Sequence, residues 1–176
     1  MRDRGDYPAR LARDVCQRCG APPACLLDLE GWLDRELGVA LVVREARYCV
    51  PGCRGFSRLS PDPRARGGIL LPAGTPHASF WALHEAGHLL MGTDGFSLAT
   101  PTWQMLPEER AADLFAACAL IDGPELLEYL LMGASLEDAA SAWDVPYRAV
   151  TKRLTVACRM GEITDAQYRR HIDRVI

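Results

Sequence analysis

The chain has 176 residues, 49% of them hydrophobic, with 20 Lys and Arg against 23 Asp and Glu and a net charge of −3. That is enough apolar material for the core of one domain and too little positive charge for non-specific capture of nucleic acid. No apolar run approaches the roughly 20 residues of a membrane span, and the charged start, Met1 to Asp6, is no signal peptide, so the expected place is the cytoplasm.

Seven cysteines are many for a reducing compartment. Cys16 and Cys19 form a Cys-x-x-Cys pair, Cys25 follows, and Cys49 and Cys53 form a Cys-x-x-x-Cys pair. Two such pairs can build a structural four-cysteine zinc site, which here would tie an N-terminal segment, 1–24, to the loop after the first strand. The other readings are a set of free thiols or a redox pair, the latter without a thioredoxin-like context. Cys118 and Cys158 sit in apolar helical stretches and read as core.

A main domain is expected over 25–132. Leu26 to Leu37 has the pattern of an amphipathic helix closed by Gly38, and Val39 to Val43 reads as a strand. Pro51 to Gly67 is rich in Gly, Pro and Arg and predicts a loop or short hairpin. Gly68 to Leu71 predicts a second strand, whose edge is a possible seat for an extended peptide.

Residues 84–88 read His-Glu-Ala-Gly-His inside an apolar run. Thr75-Pro76 predicts the start of that helix and Gly92 its end. Residues four apart on a helix share a face, about 5–6 Å apart at Cβ, so His84 and His88 can reach one metal ion. Glu85 leans over the same ion without binding it and is placed to take a proton from water. His77 lies about two turns away, too far to bind the same ion, though at a place that can line a cleft. His171 reads as a surface histidine.

Two histidines hold zinc weakly, and a third ligand is expected downstream. Pro107 can open a helix that Asp122-Gly123-Pro124 ends. On it Glu109 and Asp113 are four apart. One gives the metal a carboxylate; the other can orient a ligand histidine and raise its basicity. Glu108 is the rival ligand, without a carboxylate one turn on.

With these residues in view, His84-Glu85-Ala86-Gly87-His88 followed by Glu109-Arg110-Ala111-Ala112-Asp113-Leu114-Phe115-Ala116-Ala117 resembles the ImmA/IrrE metallopeptidases, small gluzincin-type zinc proteases of bacteria and mobile elements. The resemblance covers about residues 25–155. It implies zinc ligands His84, His88 and Glu109, general base Glu85 and supporting carboxylate Asp113. It departs from the family pattern at Ala111, where glutamate is common, and after Ala117, where Leu-Met-Pro is missing. The fold it implies is α+β, a minimal zincin-like arrangement with a small sheet packed on the active-site helix.

The remainder, 133–176, is expected to be helical. Residues 136–143 and 147–157, joined through Asp144-Val145-Pro146, have the spacing of a helix-turn-helix. They are either a DNA reader using Arg148, Lys152 and Arg153, or a helical cap on the peptidase core; the small basic cluster favours the cap. Thr164 to Gln167 is a capping box opening a last helix. The function implied by the resemblance is cleavage of a helix-turn-helix transcriptional repressor, in mobile-element induction or a stress response. The alternative is a metal-containing regulatory scaffold that binds a repressor, or DNA through 135–157, without hydrolysis. The cofactor expected is one catalytic zinc, with a second if the cysteines assemble.

Overall fold

Helices and strands are mixed as far as residue 98, and among the described residues only helices follow. The computed structural model describes residues 6–23, 25–62, 64–98 and 106–172. Its first element is α1, Tyr7–Cys19, with a proline in the opening turn. Ala9, Ala12 and Val15 recur along one side of it and are buried, and that side lies on a later helix, α4, Pro107–Leu120. Residues 7–19 are therefore a helix seated in the core.

Helix α2, Leu26–Trp32, continues as one wider π turn, Leu33–Leu37, and ends at Gly38 in the left-handed region, φ 64°. Strands β1, Val39–Arg44, β2, Cys53–Leu59, and β3, Gly67–Pro72, come next, and β4, Gly95–Leu98, follows helix α3, Ala78–Leu90. The four strands stand in the order β1-β3-β2-β4. β1 is parallel to β3; β2 is antiparallel to both β3 and β4.

This order decides one expectation and corrects another. Of the two readings of Pro51 to Gly67, loop or short hairpin, the hairpin holds, for β2 pairs antiparallel with β3. β3 is not an edge, since β1 and β2 take both its sides; among the described residues the edges are β1 and β4. The sequence hid β2 because its inward positions are Gly55 and Ser57 rather than large apolar residues, so the usual alternation is lost.

Helix α3 is buried on every side, from Ser79 to Leu89. It begins two residues later than the Thr75-Pro76 pattern predicts. Thr75 spends its hydroxyl on the Pro72 carbonyl at 2.7 Å, closing the turn after β3, and His77 takes the cap position with φ 57°. Gly87, in the middle of the pentad, is there for closeness: a Cβ would meet the Phe115 ring of α4 at 3.1 Å. The glycine lets α4 lie close against the two histidines.

Helices α5, Gly123–Leu131, α6, Leu136–Ala142, α7, Tyr147–Arg159, and α8, Asp165–Ile172, complete the described chain. The Ser135–Asp138 box caps α6, and Thr164 and Gln167 cap each other at the start of α8. One cluster of buried side chains takes in Val15 of α1, Leu71 of β3, Leu83 of α3, Phe115 of α4 and Leu154 of α7. Each such Leu or Phe contributes about 1.5–3 kcal/mol on leaving water. The arrangement is α+β and zincin-like. Among the described residues no helix is long and apolar enough to cross a membrane. The side chain of His171 lies outside the described residues.

Candidate metal centre

His84 and His88 point from α3 towards Glu109 of α4. His84 Nε2 is 3.2 Å from Glu109 Oε2, and His88 Nε2 is 3.2 Å from Glu109 Oε1. The three ligand atoms lie within 4.8 Å of one another, and both histidines are buried. Among the described residues this is the one group of His, Cys, Asp or Glu that meets that distance. The rival Glu108 is not in it.

The opposite ring nitrogens decide the tautomers. Asp113 Oδ1 lies 3.0 Å from His84 Nδ1. A carboxylate only accepts, so His84 Nδ1 carries hydrogen. Thr93 Oγ1 lies 3.1 Å from His88 Nδ1 and donates its own hydrogen to the His88 carbonyl, also at 3.1 Å. Having given that proton away, the hydroxyl can only accept from the ring. Both imidazoles are thus hydrogenated at Nδ1 and turn Nε2 lone pairs towards a carboxylate. Two lone pairs facing an anion repel unless a proton or a cation stands between them.

A metal ion fits that space. His88 Nε2 is buried and has no hydrogen-bond partner among the described residues, although Glu109 is near. Two imidazole nitrogens and one carboxylate oxygen are a donor set typical of zinc, with ligand bonds of about 2.0–2.2 Å and a fourth position open. Without an ion, a proton takes the place at His84. Burial pulls the His84 pKa down, but the bonds to Asp113 and Glu109, and the nearby charge of Asp113 and Glu85, outweigh it and raise it to about 9. Burial pushes Glu109 up, yet the two imidazoles facing it bring it down to about 2.

Asp113 is itself held by α7. Arg148 Nε donates to Asp113 Oδ2 at 2.9 Å, and Lys152 Nζ donates to the same oxygen at 2.7 Å. The carboxyl is fully buried, a burden that its bonds with His84, Arg148 and Lys152 outweigh; they keep it well below the usual carboxylate range. Arg153 turns inward as well, to the Ile121 carbonyl at 2.6 Å and to Glu162 at 2.6 Å. The three cations that made residues 135–157 look like a DNA reader are thus engaged within the fold. His77 pairs with Asp144 at 2.9 Å, at the turn before α7, and stays apart from the ligands.

Glu85 is fully buried beside the histidines but outside the ligand set. Ser57 Oγ of β2 donates to Glu85 Oε2 at 2.6 Å. Gly55 of β2 and Gly95 of β4 leave the space: a Cβ on Gly55 would meet Glu85 Oε1 at 2.8 Å, and one on Gly95 would strike Glu85 and Ser57. The two strands form a close wall that fixes one carboxylate. Neither Ser57 nor Thr93 stood out in the sequence. Thr93 had a signal in its place, one residue past the helix-ending Gly92, where the chain turns back to the last histidine.

The cysteines do not assemble. Cys16 Sγ faces the Ala119 carbonyl at 3.8 Å, in the contact between α1 and α4, whereas Cys53 Sγ faces the Gly55 carbonyl at 3.4 Å and Cys49 Sγ the Glu45 carbonyl at 3.9 Å. Cys16, Cys19, Cys49 and Cys53 therefore make no four-thiol site; the seven cysteines are free. The reason is that α1 docks by its apolar face on α4, which commits Cys16 and Cys19 to the core. Burial also raises the pKa of Cys16 and Cys53, and that of Cys118 to about 12, so without an ion these are neutral thiols.

Against known proteins, the family model described as Peptidase_M78, the IrrE N-terminal-like domain, matches residues 59–155. The chain belongs to this family. No curated protein and no solved structure matches it. The IrrE-like segment takes in α3, α4 and the first two-thirds or so of α7, and so the pentad, Glu109, Asp113 and the two cations that hold Asp113. Ser57 and Gly55, which position Glu85, lie just ahead of it.

Proposed function

We propose that this protein is a zinc-dependent endopeptidase whose substrate is a helix-turn-helix transcriptional repressor. The observation that carries the enzymatic part is the pair of Nδ1-hydrogenated histidines whose Nε2 lone pairs converge on Glu109, with Glu85 beside them and outside the ligand set. His84, His88 and Glu109 would hold the ion, and Asp113 and Thr93 keep the imidazoles turned to it. The bound zinc supplies Lewis acidity, making water a better nucleophile and the scissile carbonyl a better electrophile. Glu85 takes the proton of the attacking water and gives it to the leaving amine. Ser57 restricts the carboxylate to the rotamer that does so. The outer edge of β4, unpaired among the described residues, is the natural seat for an extended peptide, through backbone hydrogen bonds.

The family resemblance supports a repressor as the target, and a role in the cytoplasm, in mobile-element induction or a stress response, goes with that reading. A scaffold that binds without cutting has no use for a buried glutamate fixed by a serine, two glycines and the histidine helix. The test is to incubate the zinc-loaded protein with the helix-turn-helix repressor encoded nearest to it. Cleavage at one bond, stopped by chelation and by Glu85→Gln, is expected. Relief of repression with the repressor uncut would instead support the scaffold.

A further inference from the structure

The bulge in β2 aims a charged side chain at the active-site helix. β2 and β4 pair as Cys53 with Leu98 and Gly55 with Ser97, so Arg54 is the extra residue between two consecutive partners. In a regular strand Arg54 would point away from Gly55 and Ser57, which face Glu85. A bulge re-aims the residue it adds, and such bulges collect beside active sites. Here Arg54 comes to lie with its Cζ 5.1 Å from the centre of the Trp81 ring. Trp81 stands on α3 one turn before the pentad, and its ring centre is 5.2 Å from that of His84.

A second guanidinium shares this indole. Arg148 Cζ is 5.2 Å from the same ring, but Arg148 is neutralised by Asp113. Among the described residues Arg54 makes no ion pair, and it is half-buried. Among the described residues the buried Trp81 Nε1 hydrogen has no acceptor. Two like charges on one ring repel, and the nearby carboxylates are already committed: Asp113 to Arg148 and Lys152, Glu109 to the ligand histidines, Glu85 to Ser57. Stacking holds a guanidinium over the ring and leaves its planar fork of N–H donors for a carboxylate.

We propose that Arg54, seated on Trp81, is a subsite for a carboxylate carried by the peptide substrate next to the scissile bond. This rests on the peptidase reading and deepens it. Arg54 acts on choice of substrate rather than on the ion. The carboxylate is that of an aspartate or glutamate side chain or of a free C-terminus; both offer the same two oxygens to the fork.

The test is cleavage of a mixed peptide library by zinc-loaded wild type, Arg54→Gln and Arg54→Glu, with cut sites read by mass spectrometry and zinc content measured alongside. Wild type is expected to favour a carboxylate at one fixed position near the cut. Arg54→Gln should reduce kcat/KM for those peptides by about 10–100-fold, mostly through KM. Arg54→Glu should turn the preference to Lys or Arg at the same position, with zinc content unchanged. Cleavage that survives C-terminal amidation assigns the carboxylate to a side chain; cleavage lost on amidation assigns it to the terminus. The proposal is overturned if wild type cuts without such a preference, if Arg54→Glu keeps it, or if either variant loses its zinc. A wild type that holds zinc and cuts nothing is a different failure: it removes the peptidase reading, and the subsite with it.

Discussion

Two regions of this chain carry metal-ligand residues at suggestive spacings, and only one of them forms a site. His84 and His88 lie on a single helix, where four residues of separation fix the distance between side chains. Cys16 and Cys19 end a helix, while Cys49 and Cys53 flank a turn and open a strand, and no rule of local geometry sets the distance between the two pairs. The structure brings the first set to within 4.8 Å of Glu109 and leaves the second in separate contacts. Spacing is therefore strong information inside one regular element and weak information across a connection. The histidines also have partners that fix their tautomers, Asp113 and Thr93, whereas the thiols of Cys16 and Cys53 hydrogen-bond to backbone carbonyls.

The sharpest way to break this contrast is by substitution in both regions. Glu85→Gln should reduce hydrolysis by about 10²–10⁴-fold and leave the bound zinc in place. His84→Ala should remove the zinc, while Cys16→Ser with Cys19→Ser should leave one ion per chain; all are read by elemental analysis beside a peptide-cleavage assay. A second ion lost with the cysteines would place a site where the geometry offers none.

A smaller effect separates the two sides of the histidine pair. Asp113→Asn and Thr93→Val should each weaken zinc by about 10–100-fold, because an imidazole loses the group that orients it. Arg148→Ala should do less, since Lys152 still holds Asp113. Competition with a chromophoric chelator measures all three. Equal affinities throughout would mean that the ligands need no such support.

The smallest effect is on stability. In the metal-free protein the His84 pKa stands at about 9, above the ordinary 6.5. A raised value stabilises the fold fully below pH 6.5 and loses that contribution as the pH rises through 9. The melting temperature of the metal-free protein should then fall by several degrees between pH 6.5 and 9. The zinc-loaded protein should not show that fall, because zinc and not a proton occupies Nε2. A flat profile for the metal-free form would contradict the arrangement.

Much of the site was legible in the sequence because its parts lie on two helices, and each helix writes its geometry into spacings of four. His84 with His88, and Glu109 with Asp113, are read in that way, and the crossing that joins them is marked by Gly87. What stayed hidden depends on strands and long-range contacts. Ser57 and Gly55 act by facing Glu85 across a sheet whose second strand has no apolar alternation. Arg148 and Lys152 look from the sequence like a nucleic-acid face, and only the packing of α7 on α4 turns them to Asp113. Arg54 is hidden most deeply, since a bulge reverses the side of the sheet that its position implies.

X-ray absorption at the zinc edge of the purified protein tests the central claim most directly. A shell of nitrogen and oxygen alone, at about 2.0–2.1 Å and with the scattering of two imidazoles, is the predicted result. A sulfur shell at about 2.3 Å would mean that the cysteines hold the ion, and would contradict a centre built from His84, His88 and Glu109.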